Sequence, residues 1–211
     1  MRRERLVKEE KTIFADVYVA KMPDEIGNDL LFPPERQNEV LACANDRVRR
    51  QKYYAWKLLG YALQRSCGLD MDVLTFDKEK SGKWTLPNCY FSLSHSHNAV
   101  AVAVANRPIG VDVELVSGRK EEILQKTLTA AARTEYETLP SHTKIEYLIK
   151  TWTQKESFFK MTGDGLFRPS KIVVDKSVVL TQKIQISGEE YALSVAAENV
   201  TDVRWFEQID L

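Results

Sequence analysis

Acidic side chains on a short strand-like segment are the first sign of chemistry in this sequence. In Ile109–Leu115, Asp112 and Glu114 alternate with apolar residues. Side chains two apart on a strand share a face, so the two carboxylates lie about 7 Å apart and can share one cation. Mg²⁺ prefers such oxygen ligands and often adds phosphate oxygens to them. The segment therefore predicts a metal site, although a solvated acidic strand face has the same pattern.

Glu156 supplies a third carboxylate, on a helix predicted over 143–162. It falls between Trp152 and Phe159 in the apolar stripe of that helix. A charge in such a stripe must be paired or must bind a ligand, because an unpaired buried charge is costly. Lys160, one turn later, is a possible ion-pair partner. Ion pairing and metal ligation are both consistent with the sequence at this position.

Several basic side chains could hold phosphate groups beside these acids. A phosphate group needs more than one cation, so the set is more informative than any single member. The candidates are Lys83 in a Gly-Lys turn, Lys155 and Lys160 on either side of Glu156, and Arg50 and Lys57 on a long helix, where Arg47 and Lys52 are alternatives.

The segment Ser94-His95-Ser96-His97 lies at the end of a predicted strand. An H-x-H pair occurs in zinc sites, but no further soft ligand is spaced to complete one here. A hydrogen bond from His95 to a phosphate, with the Ser94 hydroxyl beside it, fits the nearby acids and cations better. A strand-end histidine that faces water is the other interpretation.

Composition narrows the class of protein. The 211 residues balance 30 Lys and Arg against 30 Asp and Glu, so no global field favours nucleic acid or an anionic membrane. The three cysteines are widely spaced and form no C-x-x-C pair, which is typical of a reduced compartment. The longest apolar run is too short to span a bilayer. We expect a cytoplasmic monomer that binds neither nucleic acid nor membrane.

The pattern along the chain predicts an α+β protein made of two similar α/β subdomains, 1–108 and 109–211. Each half offers helical segments and several strands, and 99–105 loosely resembles 191–197. Helices are predicted within 33–67 and over 120–127, 130–139 and 143–162. Strands are predicted over 12–21, 73–77, 89–93, 99–105, 109–115, 171–175, 177–182, 191–197 and 203–208.

Taken in order, S-H-S at 94–96, I-G-V-D-V-E at 109–114 and W-T-Q-K-E-S-F-F-K at 152–160 resemble the 4′-phosphopantetheinyl transferase superfamily, in its long, surfactin-synthetase-activating branch. The resemblance implies two subdomains related by a pseudo-twofold axis, with coenzyme A bound in the cleft between them. It implies transfer of the phosphopantetheine arm to a serine of an acyl or peptidyl carrier protein, with release of 3′,5′-ADP and with Mg²⁺ as cofactor.

The resemblance also assigns roles to single residues. Asp112, Glu114 and Glu156 are similar to the Mg²⁺ ligands of the family, and Lys160 to its pyrophosphate-binding lysine. Lys155 is the neighbouring catalytic candidate. Glu135, otherwise an ordinary helical acid, resembles the general base, for which a metal-bound water is the alternative. The predicted coenzyme A contacts are Arg50, Lys57, Lys83, Ser94, His95 and Lys160, although Trp84 stands where the family has a proline.

Other functions fit parts of the pattern. A different Mg²⁺-dependent phosphoryl or nucleotide transferase is disfavoured, because the sequence has no G-x-x-x-x-G-K-[ST] motif and no kinase-type glycine loop. A non-catalytic module that binds coenzyme A or docks a carrier would not need the three acids to converge. A purely structural α+β protein leaves Glu156 unexplained. The sequence names neither the carrier nor the pathway, and leaves acyl-coenzyme A donors open.

The segment after the acidic strand is a candidate carrier-docking surface. Over 117–127 it carries Arg119, Lys120 and Lys126 around Ile123 and Leu124. A basic rim with an apolar centre suits a small transient interface with an acidic helix. The alternative is an amphipathic helix whose two apolar side chains face the core of this protein.

Overall fold

A computed structural model describes residues 14–27, 32–80, 82–117, 121–163, 166–198 and 203–211. In these ranges the chain forms separate runs of helices and runs of strands, as expected of an α+β protein. The helices are α1 (Pro34–Leu41), α2 (Asp46–Cys67), α3 (Glu121–Gln125), α4 (Ala130–Thr138) and α5 (Ser141–Thr162). The strands are β1 (Ala15–Lys21), β2 (Asp77–Lys78), β3 (Trp84–Thr85), β4 (Tyr90–Ser96), β5 (Ala99–Ala105), β6 (Ile109–Leu115), β7 (Val179–Ile186), β8 (Glu189–Ala197) and β9 (Val203–Ile209).

Two larger sheets organise these strands. The first has the order β4-β5-β1-β9 and the second the order β6-β8-β7, while β2 and β3 form a small hairpin. β1 pairs antiparallel with β5 and parallel with β9, so the last strand of the chain joins the sheet of the first half. β6 pairs with β8 on one side and forms an edge of the second sheet.

The alternating sequence of β5 explains how the layers stack. Its valines at 100, 102 and 104 belong to the core formed with α2, and its alanines at 99, 101, 103 and 105 face the second sheet. Side chains on a strand alternate between its two faces, so a strand buried on both sides can carry larger side chains on one face and small side chains on the other. Helix α5 covers the far face of the second sheet, where Ser194 of β8 meets Thr153 in a hydroxyl–hydroxyl hydrogen bond of 2.8 Å. The order of layers is therefore helix, sheet, sheet, helix.

Some predicted elements differ from the structure. The helical region 33–67 divides at Asn45, whose side chain accepts a hydrogen bond from Val48 N and begins α2. Residues 71–73 form a 3₁₀ turn where a strand was predicted over 73–77. The strand predicted over 171–175 is wrong, since no sheet neighbour covers this segment within the described residues and Val173 is 79% exposed.

The proposed docking segment has a mixed environment. Leu124 is buried in a small core with α4 and α5, whereas Ile123 is 64% exposed. Arg119 and Lys120 lie outside the described residues. Over the part of the chain that the structure covers, none of the helices combines the length and the hydropathy that a membrane crossing requires.

Gly110 allows α5 to pack directly on β6. A Cβ atom at this position would lie 1.9 Å from the carbonyl oxygen of Ser157 and 2.6 Å from the backbone nitrogen of Met161. Both neighbours are backbone atoms of α5, which cannot turn aside as a side chain can. The close contact sets the distance between the acidic strand and the helix that carries Glu156.

We predict that Gly110→Ala lowers the free energy of unfolding by about 3 kcal/mol or more, because the helix must move away from the sheet. Urea unfolding measures this change. Gly60→Ala is the matched control: its Cβ would meet only the flexible end of Met71, at 2.9 Å, and alanine gains about 1 kcal/mol of helix propensity. A Gly110→Ala variant as stable as the control would show that the contact between α5 and β6 is not tight.

Candidate active site

Three serines of β4 connect the two sheets. The hydroxyls of Ser92, Ser94 and Ser96 accept hydrogen bonds from the backbone nitrogens of residues 111, 113 and 115, at 3.0, 3.2 and 3.3 Å. Both segments are strands with a side-chain period of two, so every second residue of β4 meets every second N–H of β6. Backbone N–H groups along this edge of β6 thereby bond to side chains of β4, where another strand would otherwise supply backbone acceptors. We call these three residues the serine ladder.

The serine ladder also holds the two carboxylates of β6. Ser94 Oγ donates to Asp112 Oδ1 at 2.7 Å, and Ser96 Oγ donates to Glu114 Oε2 at 2.6 Å. Ser94, which was predicted to contact a phosphate, is 6% exposed, and its hydroxyl hydrogen-bonds Asp112 and the backbone nitrogen of Val113. The hydroxyl of Ser94 therefore orients a carboxylate within the protein.

Lys160 projects from the last turn of α5 towards the same acids. Its ammonium donates to Asp112 Oδ1 at 2.8 Å and to Val111 O at 3.1 Å. The ion pair is largely shielded, with side-chain exposures of 26% for Lys160 and 7% for Asp112. Gly163 ends the helix in the left-handed conformation directly after this turn. The structure thus brings Lys160 and Asp112 together.

Glu156 lies within electrostatic range of both acids of β6. Desolvation raises the pKa of Glu156, the Lys160 ammonium opposes that shift, and the charges of Asp112 and Glu114 raise the pKa further. Like charges held this close repel one another, and a cation between them would remove the repulsion. The three predicted ligands therefore occupy one region of the molecule.

The donor set is suited to a magnesium ion. It consists of carboxylate oxygens, and Asp112 Oδ2 is buried without a hydrogen-bond partner among the described residues. A buried charged oxygen without a partner is costly unless a ligand satisfies it. No group of three His, Cys, Asp or Glu side chains in the described ranges is arranged closely enough to form a complete metal cluster. Ion pairing of Lys160 with Asp112 satisfies part of the acidic charge in this arrangement.

A cavity of about 330 Å³ opens beside Glu114 at the end of the serine ladder. His95 lines it, and desolvation together with the Lys160 charge lowers the pKa of this histidine, which favours the neutral imidazole. Arg47 lines the cavity as well, whereas Arg50 bonds instead to the backbone and side chain of Asp24. The basic residue of α2 at this cavity is therefore Arg47, which the sequence offered only as an alternative to Arg50.

Lys57 and Lys83, two further predicted phosphate contacts, do not line this cavity. Lys57 is half-buried on α2, ten residues beyond Arg47, which is about 15 Å along the helix. Lys83 donates to the carbonyl oxygen of Lys160 at 3.1 Å and lines a second cavity, of about 310 Å³, near Gly163. A cation is favourable at the C-terminus of a helix, where carbonyl groups lack partners. Lys83 thus stabilises the turn of α5 that carries Lys160.

Lys155 is an internal cation. Its side chain is buried, with the residue 2% exposed, and its ammonium donates to Thr127 O at 2.7 Å and to Pro169 O at 2.9 Å. Burial lowers the pKa of Lys155. These bonds fasten the segments before α4 and after α5 to the helix, so the contacts of Lys155 are structural.

Glu135 is exposed on α4, where it accepts a hydrogen bond of 2.9 Å from the hydroxyl of Tyr147. Tyr147 precedes Glu156 by nine residues on α5, which is about 13 Å along the axis. Side chains on a helix also tilt towards the N-terminus of that helix, so the Tyr147 side chain points away from Glu156. The structure does not bring Glu135 to the three acids.

Comparison with known proteins identifies the family of this chain. The model of the family described as the 4′-phosphopantetheinyl transferase superfamily matches residues 108–204, which include β6 and α5. The 4′-phosphopantetheinyl transferase HetI of Nostoc sp. is 32% identical over 179 residues, covering 74% of this chain and 75% of that protein. At this identity and coverage, the chain belongs to the 4′-phosphopantetheinyl transferase superfamily.

Two Bacillus subtilis relatives align over shorter stretches. The 4′-phosphopantetheinyl transferase Sfp is 33% identical over 138 residues, 63% of this chain and 59% of that protein. A second 4′-phosphopantetheinyl transferase is 29% identical over 115 residues, 53% of this chain and 51% of that protein. The chain thus spans between about half and three fifths of the length of these two relatives.

We predict that Lys155→Met lowers the free energy of unfolding by about 2 kcal/mol, because a buried carbonyl oxygen of Thr127 and a partly buried one of Pro169 lose their donor. Lys150→Met is the matched control, since Lys150 is exposed on the same helix and its loss should change stability by less than about 0.5 kcal/mol. Urea unfolding compares the two variants. An unchanged stability for Lys155→Met would mean that dehydration of the ammonium cancels the gain from its two hydrogen bonds.

Proposed function

We propose that this protein transfers the 4′-phosphopantetheine arm of coenzyme A to a serine hydroxyl of an acyl or peptidyl carrier protein. The serine oxygen would bond to the pantetheine-side phosphorus of the pyrophosphate, and the serine proton would pass to a water molecule at the site. The bond from that phosphorus to the bridging oxygen would break, and 3′,5′-ADP would leave. The observation that carries this proposal is the convergence of Asp112, Glu156 and Lys160 where the serine ladder joins the two sheets, in a chain of this family.

The acidic side chains provide the ligands that this reaction needs. Asp112, Glu114 and Glu156 would hold Mg²⁺, and the buried, unpartnered Asp112 Oδ2 supports this assignment. Bound Mg²⁺ would neutralise negative charge on the pyrophosphate and on the leaving bisphosphate. The serine ladder fixes Asp112 and Glu114 before any ligand arrives, so that little reorganisation accompanies binding.

Lys160 would hold the pyrophosphate. Its ammonium already lies 2.8 Å from Asp112 Oδ1, and its side chain is 26% exposed, so a second anionic partner could approach it from solvent. If a phosphate oxygen bonded to the ammonium, the charge that develops on the leaving group would be met by a fixed cation. Positioning and electrostatics of this kind dominate catalysis of transfer at phosphorus.

We predict that Asp112→Asn and Glu156→Gln each reduce transfer by at least about 100-fold, because the charge stabilisation at phosphorus is lost. The assay incubates each variant with coenzyme A, Mg²⁺ and an apo acyl carrier protein, and intact-mass measurement reports the gain of one phosphopantetheine arm. Glu146→Gln is the matched control, since Glu146 lies on α5 but pairs with Lys183. Absence of transfer by the wild-type protein with both acyl and peptidyl carriers would contradict the proposed function. Near wild-type transfer by either site variant would contradict the three-acid site.

Glu135 provides a separate test of the proton acceptor. Because its carboxylate is held by Tyr147 away from the acids, we predict that Glu135→Gln lowers kcat by less than about tenfold, below the 10² to 10⁴ typical of a general base. Steady-state kinetics with saturating carrier measures the effect, and Tyr147→Phe serves as a companion variant. A loss of 100-fold or more in a folded Glu135→Gln protein would assign the base to Glu135 after all.

A further inference from the structure

His97 has an unusual backbone conformation at the turn between β4 and β5. Its φ angle is 51°, in the left-handed region that favours glycine. His97 is the first residue of the two-residue loop between β4 and β5, a position at which tight hairpin turns require a positive φ angle. The turn therefore accounts for the backbone conformation, and histidine is among the residue types that adopt it more often than most. The role of the His97 side chain is therefore indicated by its contacts.

The imidazole of His97 connects an arginine to a glutamate. Nδ1 lies 2.9 Å from Arg47 Nη2, and Nε2 lies 3.3 Å from Glu189 Oε1. A guanidinium group can only donate, so Nδ1 must accept and the proton must reside on Nε2, facing Glu189. The other oxygen of Glu189 accepts a hydrogen bond of 3.1 Å from the hydroxyl of Tyr191. Every group in this chain of contacts therefore has a defined donor or acceptor role.

Tyr191 holds one end of this series of contacts in the protein core. Tyr191 is fully buried in the core between the two sheets. Burial raises the pKa of Tyr191 to about 12, so its phenol remains a donor to Glu189 at neutral pH. Glu189 begins β8 in the second sheet, whereas Arg47 lies on α2, which packs on the first sheet. The contacts thus fix an arginine of one half against the framework of the other.

Arg47, at the other end of this series of contacts, lies at the cavity of the candidate active site. Arg47 and His97 line the cavity together with Glu114 and His95. An arginine side chain loses rotamer freedom when it is fixed. A guanidinium group that is already held in place loses less of this freedom when a ligand binds. Arg47 remains exposed on its outer side, so a phosphate group can reach its other donors.

We propose that His97 is a positioning residue that holds the guanidinium group of Arg47 at the mouth of this cavity, ready to bind a phosphate group of coenzyme A. The inference rests on the proposed function, because that function supplies the ligand. It adds a residue that does not itself contact the substrate. The hydrogen bond from Arg47 to Nδ1 fixes the arginine, and the contact with Glu189 fixes the imidazole.

Two substitutions at the same position separate this role from folding. Glycine and asparagine both accept a left-handed backbone, so neither His97→Gly nor His97→Asn should lower the melting temperature. Asparagine places its side-chain oxygen where Nδ1 of histidine lies and can still accept from Arg47, whereas glycine cannot. The difference between the two variants therefore reports on the acceptor atom alone.

Calorimetric titration with coenzyme A tests the proposal. We expect the Kd to rise about three- to tenfold in His97→Gly and to stay within about twofold of wild type in His97→Asn. In transfer assays, the KM for coenzyme A should rise in His97→Gly while kcat changes little. In an Arg47→Gln background, already weakened about tenfold or more, His97→Gly should have no further effect.

The outcomes distinguish the proposal from the function on which it rests. Equal binding by wild type and His97→Gly would overturn the positioning role, as would equal losses in the glycine and asparagine variants. An additive effect of His97→Gly in the Arg47→Gln background would also overturn it, because His97 would then act without Arg47. A wild-type protein that neither binds coenzyme A nor modifies a carrier would overturn both proposals.

Discussion

The candidate site depends on the serine ladder, through which β4 closes the edge of β6. Each hydroxyl accepts from a backbone nitrogen, and those of Ser94 and Ser96 also donate to a carboxylate. A hydroxyl can fill both roles because it carries one donor and two acceptor sites. The same residues that satisfy the strand edge therefore fix the acids, and the site cannot shift relative to the junction of the two sheets.

The second constraint is the close contact between α5 and β6 at Gly110. Because Ser157 and Met161 approach the strand with their backbones, the last turn of α5 lies directly over the acidic strand. Lys160 can then reach Asp112, and Lys83 from the first half stabilises the end of the same helix. The arrangement brings together a strand, a helix terminus and a turn that are far apart in sequence.

The sequence predicted what depends on local periodicity. The period of two in Ile109–Leu115 placed Asp112 and Glu114 together, and the apolar stripe of α5 marked Glu156 as unusual. The sequence could not show that the Ser94 side chain points towards β6, because tertiary packing decides which strand lies beside β4. The parallel pairing of β9 with β1 is likewise a long-range contact. Arg47 and Arg50 illustrate the same limit: both lie on α2, and only the fold turns the first towards the cavity.

The electrostatics of the site follow from these constraints. Ser94 of the serine ladder and Lys160 both bond to Oδ1 of Asp112, yet Oδ2 of the same carboxylate stays buried without a partner in the described structure. A core selected for stability alone would satisfy or remove that oxygen, because leaving it so costs free energy. In the proposed function, Mg²⁺ would satisfy this oxygen together with the carboxylates of Glu114 and Glu156. The free energy that the unpartnered oxygen costs the folded protein would then be recovered when the ion binds.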